Sequence, residues 1–286
     1  MTTESALNFI KTKEYERFKE FCDACAKYKY IGICYGPPGV GKTRAARQYT
    51  NWDLIGPLLD NISFREVIEP IDRPLDPAVT SSDSIFLTSP TVRPVSIERN
   101  LTKLAENLEL VKVGIRLMEN HSNTEARYEA LNRAIKKGGL ASVNLVIIDE
   151  IDRLKLPTLE ILRDIYDQND IGMILIGMPG IEKRLSRYPQ LYSRIGFAHE
   201  FKKMGKTKMS YILEHRWKDL GFSLDYQQFD NFEVVSKMIK LSNGNFRLLQ
   251  RLFSQIDRVM EINKLSTITG EVVETARELL IIGTND

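Results

Sequence analysis

The stretch GPPGVGKT, residues 36–43, constrains the fold of this 286-residue chain more than any other feature. It matches the pattern G-x-x-x-x-G-K-[ST] in full, which is the pattern of a phosphate-binding loop. The apolar run YIGICY precedes it and the helix-forming run TRAARQYT follows it. This loop requires a strand before it and a helix after it, so the context predicts the start of a sheet whose first strand is buried on both faces.

The residue types within the loop fit the binding of a nucleotide triphosphate. Glycine lets backbone N–H groups turn inward on phosphate oxygens, and a helix N-terminus adds the positive end of its dipole. Lysine then reaches the β- and γ-phosphates, and the threonine hydroxyl is offered to Mg²⁺. The alternative is a glycine-rich turn that binds nothing. The predicted ATP-binding residues are Gly36, Pro37, Pro38, Gly39, Val40, Gly41, Lys42 and Thr43.

A second motif, LVIIDE at residues 145–150, supports the first. Its four apolar residues predict a buried strand that ends in Asp149 and Glu150, at the edge where parallel sheets bind ligands. Asp149 is predicted to hold Mg²⁺ through water, and Glu150 to polarise the attacking water as a general base. The alternative is that two acids merely end a strand. A kinase does not need this adjacent pair, so the motif favours hydrolysis of ATP to ADP and phosphate.

Strand and helix patterns alternate through the first two thirds of the chain. Strands are predicted at 84–88 (SIFLT) and 173–177 (MILIG), and helices at 13–28, 96–119, 124–137 and 156–168, whereas the rest of the proline-containing span 60–94 is predicted as loop. This order predicts an α/β fold with a doubly wound, mostly parallel sheet. Four further helices, at 207–219, 231–241, 245–262 and 270–280, predict a small C-terminal helical lid. The domains expected are a core at 1–205, with its N-terminal helix, and a lid at 206–286.

Composition limits the partners and the compartment. Forty basic and 38 acidic residues give a net charge of +2, so any DNA contact is expected to be local. No run of 18 apolar residues occurs and the N-terminus is unlike a signal peptide, which predicts a cytoplasmic protein with no membrane partner. The three cysteines, Cys22, Cys25 and Cys34, lack the spacing of a zinc site and are expected to be reduced thiols.

Arginines that follow the acid pair are candidates for contact with the γ-phosphate. Such an arginine often comes from a neighbouring subunit. Arg194, in QLYSRIG, is either this residue or an ordinary surface cation, and in the first case the active protein is an oligomer. Arg247 is expected in the first turn of a helix, where a phosphate partner would offset its unfavourable position in the helix dipole. Arg184 and Arg187 are expected to face solvent or DNA.

Taken together, GPPGVGKT, LVIIDEIDRL, SRIG and GNFRLL resemble the corresponding motifs of the AAA+ ATPases, over residues 13–280. Within that superfamily, residues 146–185 resemble the transposition-helper ATPases of the TniB, TnsC and MuB type. The resemblance implies a P-loop NTPase fold that binds ATP and Mg²⁺, assembles into rings or helical filaments on duplex DNA, and presents the target to a transposase. It also implies that Arg194 reads the γ-phosphate across subunits and Arg247 within one.

One position departs from the AAA+ pattern. Many of these proteins place a polar residue after the strand that follows the acid pair, where it positions the attacking water. Here MILIG is followed by Met178 and Pro179. Slow hydrolysis is therefore expected, which suits a switch whose ATP state persists on DNA.

Contact with double-stranded DNA is expected to be independent of sequence, because no recognition motif is visible. Phosphate contact needs basic or short polar side chains on a surface that each subunit repeats. Each candidate is otherwise part of an ordinary solvated face. The candidates are Thr91, Arg93, Arg99, Lys103, Ser122 and Asn123.

The function that these features favour is an ATP-dependent regulator of DNA transposition that oligomerises on target DNA and recruits or activates a transposase. A target-selector protein is a further candidate partner. On DNA such a protein is nucleoid-associated. Two alternatives stay open. One is an initiator or loader ATPase of replication, a class that commonly carries a separate winged-helix DNA reader. The other is a nucleotide switch that acts on a protein partner without DNA.

Overall fold

The computed structural model describes residue 9 and residues 11–60, 77–89, 95–119, 124–215 and 232–280. The chain divides into two compact units. The first, here called the sheet unit, consists of residues 14–35 and 42–200. The second, here called the helical unit, consists of residues 1–13, 36–41 and 201–286.

A five-stranded parallel sheet forms the centre of the sheet unit. Its strand order is β2-β3-β4-β1-β5, and every neighbouring pair is parallel. This arrangement confirms the predicted α/β fold. The strands are β1 (Ile31–Tyr35), β2 (Ser84–Thr88), β3 (Leu145–Asp149), β4 (Gly172–Gly177) and β5 (Ile195–Glu200).

Helices connect these strands, as parallel pairing requires. Every residue of β3 and β4 is buried, which explains why both strands read as continuous apolar runs. The helices are α1 (Lys13–Tyr28), α2 (Lys42–Tyr49), α3 (Trp52–Asp60), α4 (Pro77–Ser81), α5 (Val95–Glu119), α6 (Thr124–Lys137), α7 (Leu156–Gln168), α8 (Ile181–Leu185) and α9 (Pro189–Tyr192), with single 3₁₀ turns at Leu140–Ser142 and Ile151–Arg153.

Helix α1 packs closely against the sheet through buried aromatic and cysteine side chains. Phe18, Cys22 and Cys25 are fully buried. A side chain at Gly32 of β1 would place its Cβ 2.5 Å from the Cys25 sulfur. The helix therefore sits where only glycine can occupy the strand beneath it.

Three elements differ from the sequence-based prediction. Strand β5 was not predicted, because its residues alternate between half-buried and exposed instead of forming an apolar run, as befits a strand at the edge of the sheet. Helix α4 lies within the span 60–94, where proline was expected to break any helix, and helix α3, just before that span, was not predicted. Pro57 lies inside α3, where the buried Ile55 and Leu59 supply packing that favours the helix.

The helical unit has a hydrophobic core of its own. Its helices are α10 (Lys206–His215), α11 (Phe232–Ser242), α12 (Phe246–Asn263) and α13 (Gly270–Glu278), close to the four predicted ones. One face of α12, with Leu249, Phe253 and Ile256, is buried against residues of the other three helices. None of the described helices is both long and apolar enough to cross a membrane.

Candidate functional site

The carboxyl ends of the central strands bring the two predicted motifs together in the sheet unit. Tyr35 at the end of β1 pairs with Gly177 at the end of β4, and Thr88 at the end of β2 pairs with Asp149 at the end of β3. Helix α2 begins at Lys42, the first of the two motif residues that lie in this unit. Ligands of parallel sheets bind at this carboxyl end of the strands.

Asp149 and Thr43 are in direct contact at this edge. The Thr43 hydroxyl donates a hydrogen bond to Asp149 Oδ2 at 2.6 Å, and the Glu150 backbone N–H donates to Asp149 Oδ1 at 2.8 Å. The Asp149 residue is only 3% exposed. Burial raises the pKa of its carboxyl, and the hydrogen bonds from Thr43 and Glu150 oppose that rise. The two residues predicted to serve Mg²⁺ are therefore neighbours.

Glu150 leaves the sheet in an unusual backbone conformation. Its φ of 58° lies in the left-handed region, which is uncommon for any residue other than glycine. Its carboxylate forms an ion pair with the guanidinium of Arg153, at the end of the following 3₁₀ turn. The predicted general base is thus held by a cation of its own turn.

The residue after β4 is Met178, and its side chain is 39% exposed. Its backbone N–H donates to Asp152 Oδ2 at 2.8 Å, so a carboxylate from the turn after β3 is the polar group bonded to this position. The expected departure from the AAA+ pattern is therefore present as an exposed thioether beside an acidic turn.

Arg184, which was expected to face solvent or DNA, is half-buried and bonds backbone carbonyls of its own chain. Its guanidinium donates to the backbone carbonyls of Asp152, at 2.8 Å, and of Leu154. These bonds were not predicted, because the sequence shows that an arginine lies on a helix but not which turn packs beside it. Arg187, on the turn that follows α8, is exposed.

The glycine loop, residues 36–41, belongs to the helical unit. Gly39 and Gly41 have φ values of 75° and 107°, conformations that favour glycine, as predicted for a loop whose amides turn inward. The carbonyl of Gly39 accepts a hydrogen bond from the Phe246 N–H at 3.0 Å. The first turn of α12 therefore lies against the loop, and it carries the exposed Arg247 one residue further on.

Arg194 lies at the amino-terminal end of the strands, whereas Asp149 lies at their carboxyl end. Arg194 precedes Ile195, which pairs with Ile31 at the amino end of β1. Because a strand advances about 3.3 Å per residue, the four steps to the carboxyl end of β1 separate Arg194 from that edge by about 13 Å. Its guanidinium forms a two-pronged pair with Asp167 of α7, at 2.5 and 2.7 Å. Arg194 is therefore badly placed to serve its own subunit's Asp149.

The predicted DNA contacts are only partly described. Arg99 and Lys103 are exposed and lie four residues apart on α5, which places both on one face of the helix. Thr91, Arg93, Ser122 and Asn123 lie outside the described residues.

The three cysteines are free thiols, as predicted, and all three are buried. Burial raises the pKa of Cys25 to about 12 and raises that of Cys22 and Cys34 as well. Among the described residues, no three His, Cys, Asp or Glu side chains are arranged to hold a metal ion. These thiols are packing residues of α1 and β1.

Residues that sequence reasoning missed surround Glu150. Arg153 and Asp152 directly follow the acid pair in IDEIDRL, so their proximity was readable from the sequence, although their partners were not. No signal in the sequence pointed to Arg184, which is 34 residues beyond Glu150.

Comparisons with known proteins support the same motifs. A family model described as an AAA domain matches residues 25–185. A "potential ATP-binding protein" of Staphylococcus aureus is 48% identical over 277 residues, covering 96% of this chain and 97% of that protein. The "ATP-dependent target DNA activator B" of Escherichia phage Mu is 23% identical over 212 residues, covering 72% of this chain. The chain aligns with only 55% of the length of that phage protein.

A solved structure shares the fold. The Holliday junction branch migration motor RuvB of Thermotoga maritima superposes with a TM-score of 0.55 at 16% identity, covering 95% of this chain and 70% of that one. This likeness shows a common P-loop α/β fold.

Proposed function

The chain belongs to the AAA domain family, and on that premise we propose that it is an ATP-hydrolysing regulator of DNA transposition, which oligomerises on target duplex DNA and recruits or activates a transposase. The single observation that carries the transposition role is the alignment of 212 residues with the phage Mu protein whose name specifies ATP dependence and target DNA. Both sequence motifs, 36–43 and 145–150, fall within the residues that the AAA domain model matches.

The nucleotide site of the proposal takes its residues from the two sequence motifs, residues 36–43 and the acid pair of Asp149 and Glu150. Three features support it: glycine conformations in the loop, a helix that begins at Lys42, and a buried Asp149 bonded to Thr43. The backbone amides of the loop bind the phosphates, and Lys42 neutralises the β- and γ-oxygens. The roles of the loop amides and of Lys42 are those that the sequence predicted.

The donor set at Asp149 fits Mg²⁺. This ion usually takes one or two carboxylates and completes an octahedron with phosphate oxygens and water, so it needs no larger cluster of acids. Thr43 Oγ1 and an Asp149 oxygen would hold it, and when bound it neutralises the charge on the phosphate oxygens. The close Thr43–Asp149 contact shows that these two oxygens already converge.

Glu150 is the proposed general base. It would accept a proton from the water that attacks the γ-phosphorus, while ADP leaves as the bond to the bridging oxygen breaks. Its carboxylate pairs with Arg153, so turnover requires that this ion pair loosen or tilt to admit water. Slow hydrolysis follows from this pairing and from Met178 in place of a polar residue.

Electron microscopy of the purified protein with duplex DNA, ATP and Mg²⁺ tests the DNA-dependent assembly. Regular rings or filaments that form only when ATP and DNA are both present support the proposal. Lys42→Ala is the nucleotide-binding variant and should not assemble, whereas Lys27→Ala, an exposed lysine of α1, should assemble as the wild type does.

Assembly that is the same with and without DNA would instead support a nucleotide switch that acts on a protein partner. Transposition can be tested with the product of any transposase gene that adjoins this one. The wild type should stimulate strand transfer into a target duplex and Lys42→Ala should not; equal strand transfer with and without the protein would contradict the role.

A further inference from the structure

The turn that carries Glu150 depends on outside support for its shape. Glu150 has a left-handed backbone conformation, and the next three residues form a single 3₁₀ turn, Ile151–Arg153. Left-handed backbone is unfavourable for a residue with a side chain, and it persists where the surroundings fix it. A small change in this turn moves the Glu150 carboxylate, because Glu150 directly precedes the three residues of the turn.

Arg184 supplies that support from α8. Its Nη1 donates to the carbonyl of Asp152 at 2.8 Å and its Nη2 donates to the carbonyl of Leu154. The planar guanidinium presents its donors in a fixed fork, so one side chain fixes the spacing of two carbonyls that flank Arg153. The Met178 N–H, bonded to Asp152 Oδ2 at 2.8 Å, holds the same turn from the end of β4.

The position of α8 makes the contact between Arg184 and the Glu150 turn relevant to hydrolysis. This helix follows β4 directly, after Met178, where the AAA+ resemblance leads one to expect a polar side chain that positions water. Instead, the segment after β4 reaches the Glu150 turn through Arg184 and through the Met178 backbone. Hydrogen bonds from this segment to the turn of residues 150–154 thus link the end of β4 to the general base, Glu150.

We propose that Arg184 is a positioning residue for ATP hydrolysis, which acts by holding the turn of residues 150–154 and thereby the Glu150 carboxylate. The inference rests on the proposed function, since it takes Glu150 as the base. The described side-chain bonds of Arg184 go to this turn, so its contribution is to the alignment of Glu150 and not to the binding of ATP. A misplacement of about 1 Å at a reacting group costs roughly 10²-fold in rate.

The test compares Arg184→Ala with Arg187→Ala. Arg187 is a matched control, because it is an arginine three residues further on that is exposed and has no side-chain bond to the turn among the described contacts. ATP affinity, kcat, KM and melting temperature are measured for both variants, the wild type and Glu150→Gln, with and without duplex DNA. We expect Arg184→Ala to lower kcat roughly 10- to 100-fold with KM and ATP affinity within about twofold of the wild type. Arg187→Ala should match the wild type.

A conservative variant separates alignment from folding. Arg184→Lys keeps the charge but lacks the fork, so kcat should fall between those of the wild type and the alanine variant. If Arg184→Ala does not fold, Arg184→Lys carries the test, and a wild-type kcat in that variant overturns the inference. A wild-type kcat in folded Arg184→Ala overturns it too, as does a loss that appears only in ATP affinity.

Double substitution and the wild-type rate distinguish the two proposals. Because Arg184 is proposed to act through Glu150, adding Arg184→Ala to Glu150→Gln should lower the residual rate no further, and a multiplicative loss would contradict the inference. If the wild type binds ATP but hydrolyses none with DNA present, the proposed hydrolysis fails. If the wild type turns over and only Arg184 proves indifferent, the inference alone fails.

Discussion

Thr43 Oγ1 lies 2.6 Å from Asp149 Oδ2, although 106 residues separate the two in the chain. The contact joins the start of α2 to the end of β3 and buries the carboxylate almost completely. It places two oxygen ligands suited to Mg²⁺ side by side, one from each sequence motif.

Thr43→Val should abolish the effect of Mg²⁺ on ATP binding. Valine has nearly the shape of threonine but no hydroxyl, so the metal loses one ligand and Asp149 loses a buried hydrogen bond, at a cost of about 1–3 kcal/mol in the free energy of unfolding. ATP titrations with Mg²⁺ and with EDTA, together with urea unfolding, measure both effects. Thr43→Ser keeps the hydroxyl and should behave as the wild type. Unchanged Mg²⁺ dependence in the valine variant would remove Thr43 from the metal site.

Glu150→Gln should retain ATP and lose turnover. The amide cannot accept the proton of the attacking water, and general base catalysis contributes roughly 10²- to 10⁴-fold to such a rate. Phosphate release and ATP affinity are measured on the same preparation. Glu98→Gln, an exposed acid on α5, is the control and should hydrolyse ATP as the wild type does. Normal hydrolysis by Glu150→Gln would show that another group is the base.

Arg194 should act on the nucleotide of a neighbouring subunit. Arg194→Ala should bind ATP but turn it over slowly, and Glu150→Gln should bind ATP without turning it over. In a mixture of the two variants, each intact ATP site can meet an intact Arg194 from the other subunit type, so activity should reappear with DNA and ATP present. ATPase assays across mixing ratios measure this recovery. If mixtures stay as inactive as their components, Arg194 does not act in trans.

Arg99 and Lys103 should contribute phosphate contacts to DNA. Each phosphate contact steepens the dependence of log binding constant on log salt concentration by about 0.9, so the double alanine variant should have a slope shallower by about 1.8. Fluorescence anisotropy with two unrelated duplexes measures the slope, and the change should be equal for both. Arg133→Ala removes a surface cation that pairs with Glu129 and should leave the slope unchanged. A wild-type slope in the double variant places the DNA elsewhere.

The buried thiols should make stability fall in alkaline solution. Burial raises the pKa of Cys25 to about 12, from an ordinary value of 9.0, and also raises that of Cys22. Between these values the unfolded chain releases thiol protons that the folded protein retains, so the unfolded state binds fewer protons and the free energy of unfolding decreases as pH rises above about 9. Replacing Cys22 and Cys25 with alanine should flatten this dependence in urea unfolding between pH 8 and 10. A thiol reagent at pH 8 should label the three cysteines only after denaturation, and rapid labelling of the native protein would contradict their burial.

Local pattern determined much of this protein. The sequence predicted the glycine loop, the buried strands that carry Ile33, Ile147 and Leu175, and most helix boundaries, because each of these depends on neighbours within a few residues. The spacing of apolar residues and the residue types of turns are local properties of a sequence. The predicted ATP-binding residues come from the same kind of local information, since a phosphate loop is a contiguous motif.

Tertiary structure decided which distant residues meet. It added strand β5, whose alternating burial depends on its place at the edge of the sheet, and it set Thr43 against Asp149. It also turned Arg184 from a presumed surface cation into a support for the Glu150 turn, and it placed Arg194 at the edge far from Asp149. An arginine side chain can pair with a phosphate, a carboxylate or a carbonyl at similar cost. Only the packing of separate elements determines which of these partners lies within reach.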